Sequence, residues 1–143
     1  MQLRVGGACH LRATFYKPEL SGIIDPEQVE GKAKVFTEWE DRLTLMDTLI
    51  VCRFFRDMYF WDELSVIIKA ITGMELDEGQ LREISANITN KVRGFNLREG
   101  MKKEDEMLPK RFLEGRLEDS GKVLPKDEFE KMLADYYRIR GWD

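Results

Sequence analysis

Cysteine and histidine are scarce in this chain. Its 143 residues include two cysteines, Cys9 and Cys52, and one histidine, His10. Two cysteines are too few for the disulfide framework of a small secreted domain, so both are read as reduced thiols or ligands. These three side chains cannot close a metal centre by themselves. A four-iron cubane takes four ligands, and an adjacent Cys-His pair is not a zinc-finger spacing. Long apolar runs are also missing. The most apolar stretches are broken by Arg53, Arg56 and Lys69, and none approaches the ~20 residues of a membrane span. No basic segment leads into an apolar one at the N-terminus, so no signal peptide is expected, and a cytoplasmic location follows as the default. The charges, 23 basic and 27 acidic, are interspersed. With no basic stripe, nucleic acid is excluded as a partner, as is the membrane. The glycines match neither a phosphate-binding loop nor a dinucleotide fingerprint, and neither Gly-x-Ser-x-Gly nor His-Glu-x-x-His occurs.

What is present is helical periodicity. Hydrophobic residues make up 43% of the chain, which suits a globular fold with a core. Asp25-Pro26-Glu27 reads as a helix start, with a cap, a first-turn proline and an acid at the positive dipole end. Val35, Trp39, Arg42-Leu43, Met46 and Leu49-Ile50 then recur at three- and four-residue spacing, with Gly31 as a kink or a point of close approach. Leu49 to Phe55 is apolar nearly all round, interrupted by Arg53, and so predicts a buried helix end. A second helix is predicted from about Trp61 to Thr72, with Leu64, Ile67, Ile68 and Ile71 inward and Gly73 as its stop. A third follows Asp77, burying Leu81, Ile84, Ser85, Ile88 and Val92 before Gly94. The stretch from Phe95 to Leu124 reads as loop, with a short helical turn within Lys102 to Leu108. A last helix runs from about Pro125 to Arg140, with Phe129, Met132, Leu133 and Tyr136 on one face, and Gly141 ends it. Trp39, Trp61, Phe54, Phe55 and Tyr136 are the expected large core groups. No sustained strand alternation appears. The expected fold is all-α: one multihelical domain over residues 1–143, with an irregular N-terminal arm up to about Gly22.

Three residues carry candidate chemistry. His10, in a loop-like segment, could handle a proton near neutral pH, or it is an ordinary loop histidine bonded to backbone. Cys52 is either a thiolate ligand or a small buried hydrophobe. Asp47 precedes Cys52 by five residues, which places the two about 140° apart on a regular helix. They meet one ligand only if the helix ends or distorts between them. Otherwise Asp47 is a solvated helix acid. Cys52 with His10 as a nucleophile and base lacks an orienting partner in the sequence.

Read in order, several short motifs bear on one family. They are Ala8-Cys9-His10-Leu11-Arg12, Gly31-Lys32-Ala33, Glu40-Asp41, Asp47-x-Leu49-x-x-Cys52-Arg53-Phe54, Asn96-Leu97-Arg98-Glu99-Gly100, Leu108-Pro109-x-Arg111 and Tyr136-Tyr137-x-x-Arg140-Gly141-Trp142. The set resembles the C-terminal region of the tungsten-containing aldehyde:ferredoxin oxidoreductases, from about Gly6 to Asp143. The resemblance implies a helical region belonging to an enzyme that holds a tungsten bis-pterin cofactor and a four-iron cluster. Such an enzyme oxidises an aldehyde to the acid and passes electrons to ferredoxin. It implies a cofactor-binding role for Asp47, Ile50 and Val51, which occupy the family's Asp-x-x-Gly-Leu-Cys segment. It makes Cys52 the last cluster ligand and His10 the catalytic residue near the metal.

This chain departs from the pattern at three positions. The motif's glycine is Ile50, its leucine is Val51, and the often acidic position after the cysteine is Arg53. The family's Cys-x-x-Cys-x-x-x-Cys segment and its β-rich pterin-covering domain are not in this sequence. No cofactor is therefore expected on this chain alone, and its expected partner is the remainder of the oxidoreductase or a complementary chain. That reading predicts an exposed apolar face around Asp47 and Cys52. The alternative is a cofactor-free, self-associating helical module, with a sealed core and Cys52 as filler.

Overall fold

The computed structural model describes residues 13–115, 121 and 123–143. Over these the protein is all-α and multihelical, with no strand. The helices are α1 (Tyr16–Leu20), α2 (Lys32–Thr48), α3 (Trp61–Thr72), α4 (Glu78–Arg98), α5 (Lys110–Glu114) and α6 (Lys126–Arg140). Short 3₁₀ turns lie at Arg53–Phe55 and Lys103–Glu106. The short helix α1 lies within the stretch read as an irregular arm. The arm up to residue 12 lies outside the described residues.

Helix α2 is the axis of the fold, packing against α4 on one side and α6 on another. Its first half joins a core of Phe15, Ile24, Phe36, Phe129, Leu133 and Tyr136. Its second half, through Leu43, Leu45 and Met46, joins Leu64 and Ile68 of α3 and Leu81 of α4. Trp39 packs against both. A helix serving two cores is buried on most sides, and here that includes Lys32, Glu40, Asp41 and Arg42. Buried charge is tolerated only when paired or hydrogen-bonded; Lys32, Glu40 and Asp41 face opposite charges, and Arg42 donates to backbone carbonyls. Lys32 Nζ donates to Glu19 Oε1 at 2.9 Å and to the Pro26 carbonyl at 2.6 Å. Glu40 Oε2 accepts from Tyr136 Oη at 2.7 Å and from Arg140 Nη2 at 2.6 Å. Asp41 Oδ1 lies 2.7 Å from Arg140 Nη1, as a charge contact rather than an aligned hydrogen bond. Burial pushes the Asp41 carboxyl up to about 6, against the opposing pull of Arg140. Burial alone would lower the Arg140 guanidinium, but Glu40, Tyr136 and Asp41 together hold it above its ordinary value. This cluster fastens α6 to α2.

Four expectations need correction. Asp25 does not start α2. Its side chain and carbonyl accept from Glu27 N and Gln28 N to make a separate turn. Gly31, at φ +74°, then breaks the chain before the helix begins. In α4 the buried stripe is Leu81, Ser85, Thr89 and Arg93, and Ile84, Ile88 and Val92 are only half-buried. The hydroxyls of Ser85 and Thr89 donate to carbonyls four residues back, so these short polar side chains can face α2 without an unmet donor. The helix also runs past Gly94 to Arg98. In α3, only Leu64 and Ile68 are buried, and Ile71 is exposed. Last, the apolar run after Leu49 is not a buried helix end. Phe54 and Phe55 are exposed rather than core.

The ends of α3 and α6 and the inward face of α6 agree with the sequence expectation. Trp61–Thr72 ends on Gly73 at φ +76°, and Lys126–Arg140 ends on Gly141 at φ +69°. Phe129, Met132, Leu133 and Tyr136 are buried as expected.

Candidate functional site

Asp47 and Cys52 flank the point where α2 stops. Thr48 is the last helical residue, and Leu49 is the half-helical residue beyond it. Ile50 N–H donates to the Asp47 carbonyl at 3.1 Å, and Val51 N–H to the Met46 carbonyl at 2.9 Å. This paired closure needs a left-handed residue at its centre, and that residue is Ile50, at φ +58°. Helices α1, α4 and α6 close with the same pair of bonds, centred on Gly22, Gly100 and Gly141. Where those helices use glycine, α2 uses a β-branched residue, for which left-handed backbone is costly. The helix thus ends between Asp47 and Cys52, the condition under which the two can share one neighbourhood.

Beyond Val51 a strap runs over residues 52–60. Cys52 is an exposed free thiol, which overturns the reading of it as buried filler. Arg53 turns back on Asp47: its Nε donates to Oδ1 at 2.8 Å and its Nη2 to Oδ2, so both carboxylate oxygens are engaged. Further along, Arg42 of α2, only 3% exposed, donates through Nη1 to the Arg56 and Tyr59 carbonyls. Its guanidinium lies between the Trp39 and Phe60 rings, 4.6 and 4.7 Å from their centroids. That burial lowers its pKa, with Asp57 acting in the opposite direction. Lys17 of α1 pairs with Asp57, and Phe60 N–H donates to Glu63 Oε2 at 2.8 Å. The strap is therefore held along its length.

Its apolar side chains nonetheless face outward. Ile50 is 92% and Phe54 88% exposed, and Phe55, Met58 and Phe60 are also exposed. A tethered segment with this many solvent-facing apolar groups is the mark of an interaction surface. It is also the exposed face around Asp47 and Cys52 that the fragment reading predicts.

The site residues fit the implied groups unequally. Cys52 presents a free, exposed thiol, chemically suited to ligate a metal. Among the described residues, no group of three or more His, Cys, Asp and Glu could hold a metal ion. Both Asp47 oxygens are engaged by Arg53, so a pterin contact by this carboxylate would compete with that pair. The N–H groups of Ile50 and Val51 are likewise used inward, and the Ile50 side chain stands in solvent. His10 and Cys9 lie outside the described residues. The sequence places Arg42 in the α2 stripe but does not show its hold on the strap, Arg53 as partner of Asp47, or the Glu40–Asp41–Arg140–Tyr136 cluster. The only sequence signal for the last was the pair of motifs Glu40-Asp41 and Tyr136-x-x-x-Arg140.

Fold and site define an all-α, multihelical protein with an exposed thiol beside an apolar surface strap. Residues 2–143 match the family model for aldehyde ferredoxin oxidoreductase, domains 2 and 3, and the chain belongs to that family, as part of its C-terminal region. It is 30% identical over 141 residues to the tungsten-containing aldehyde ferredoxin oxidoreductases of Pyrococcus furiosus and Thermococcus kodakarensis. It is 28% identical to that of Pyrococcus horikoshii. In each comparison 95% of this chain is covered, but only 23% of the relative. The chain thus spans about a quarter of the length of the curated relatives it matches. Among the described residues no helix is long and apolar enough to cross a membrane.

Proposed function

We propose that this chain is the C-terminal segment of a tungsten-dependent aldehyde oxidoreductase and works only when completed by the rest of that enzyme. The completed assembly would oxidise an aldehyde to the carboxylic acid and deliver electrons to ferredoxin, as the relatives' names and the motif set suggest. Cys52 would supply the last thiolate of a four-iron cluster whose other three ligands lie in the missing part. His10 would stand near the metal and handle the proton, with Ile50 and Val51 shaping the cofactor-facing loop. The tungsten bis-pterin, when bound, supplies the two-electron redox chemistry. The observation that carries this reading is the exposed Cys52 thiol, set in a tethered apolar strap, on a chain that spans 23% of its relatives.

The test is a Cys52→Ala variant isolated anaerobically with its partner protein. Iron content should fall while the partner is retained. Unchanged iron would remove Cys52 from the cluster and the reading with it.

A further inference from the structure

The turn from Asp47 to Arg53 carries two departures from the family pattern, and the structure joins them. Ile50 replaces the motif's glycine at the left-handed centre of the turn, where Gly22, Gly100 and Gly141 serve the other helices. Arg53 replaces an often acidic residue three positions on, and its guanidinium spans the turn to grip Asp47 with two parallel hydrogen bonds. The Arg53 side chain is 17% exposed and that of Asp47 39%, so the pair lies at the surface with its cationic end partly covered, and its bidentate geometry is what raises it above an ordinary surface ion pair. Asp47 also sits in the last turn of α2, at the negative end of the helix dipole, where a lone acid is unfavourable. A cation is what that position calls for, and Arg53 delivers it in the planar fork that fits a carboxylate.

We propose that in this chain Asp47 is a latch residue rather than a pterin contact: Arg53 takes up its carboxylate, and the pair staples the glycine-less turn that positions Cys52. Arg53 is accordingly a positioning residue. The pair secures a backbone conformation that glycine would adopt freely, and it holds the strap in place without help from a cofactor. This inference rests on the family reading only for the role it denies to Asp47.

A charge swap tests it on the chain as it stands. Asp47→Asn and Arg53→Gln should each lower the thermal midpoint by about 2–4 °C. The double variant should be no worse than either single one. The swap Asp47→Arg with Arg53→Asp should recover most of the loss, because the staple is restored with its ends exchanged. Additive losses, single variants at the wild-type midpoint, or a swap that recovers nothing would overturn the latch. A second readout is tungsten content in the assembly isolated from native cells. The swap variant should retain it. Tungsten lost from a swap variant whose midpoint has recovered would make Asp47 a cofactor contact after all, and would leave the proposed function standing. Tungsten absent from the wild-type assembly would defeat the proposed function, while the melting series would still decide the latch.

Discussion

Ile50 adopts the left-handed backbone conformation that four other helix ends among the described residues give to glycine: Gly22, Gly73, Gly100 and Gly141. For an L-residue that conformation costs about 1–2 kcal/mol. With the side chain 92% exposed, little packing is lost on its removal. Ile50→Gly is therefore expected to stabilise the chain by about 1 kcal/mol in urea unfolding, once glycine's greater unfolded-state freedom is allowed for. A loss of stability would mean that the Ile50 side chain packs in solution. Asp41 gives a second prediction. Its carboxyl is raised from 3.8 to about 6 by burial, so the folded chain holds this proton more tightly than the unfolded chain does. Its contribution to stability is then greatest below pH 3.8 and is lost as pH rises through about 6. The span is on the order of 3 kcal/mol. Asp41→Asn should flatten that part of the profile, measured as unfolding free energy at pH 4 against pH 7. An unchanged slope would clear Asp41 of the effect. Ile50 was visible in the sequence as a departure from glycine. The Arg53–Asp47 pair was not, because an ion pair closing a turn leaves no periodic trace.

The strap over residues 52–60 depends on Arg42. That guanidinium reaches two strap carbonyls and lies between the Trp39 and Phe60 rings. Removing it leaves those carbonyls short of a donor and breaks the stack, at a cost of about 2 kcal/mol. Arg42→Ala should accordingly speed amide exchange at Met58 and Tyr59 relative to the α6 core. Equal protection in both proteins would show that the strap is held by other contacts. At this scale the sequence was read well where glycine marks an end, as at Gly73 and Gly141, and poorly where polar residues are buried. Of the α4 stripe expected from the sequence, Leu81 and Ser85 are buried, whereas Ile84, Ile88 and Val92 are half-buried and Thr89 and Arg93 take the inward positions instead. The burial of Glu40 and Asp41 leaves no mark in the pattern for the same reason, since polar residues read as surface. Residue-type patterns treat charge as surface, whereas α2 buries it by pairing. The start of α2 was misread because Asp25-Pro26 has every feature of a helix start, and Gly31 cancels it.

Among the described residues, α2 threads two cores, and a tethered apolar strap bears an exposed thiol. The family and the all-α class were legible from the ordered motifs and the helical periods. The strap was mistaken for a buried helix end because its apolar content is that of a core. Its burial, if the proposed function holds, is supplied by protein outside this chain, and sequence periodicity cannot distinguish a surface buried by a partner from one buried by the fold itself. The most direct test of the central claim is anaerobic affinity isolation of this chain from the cells that make it, with tungsten and iron assayed in the eluate. Both metals, together with a larger co-purifying chain, are the predicted result. Metal-free protein, alone or paired only with itself, would contradict the account.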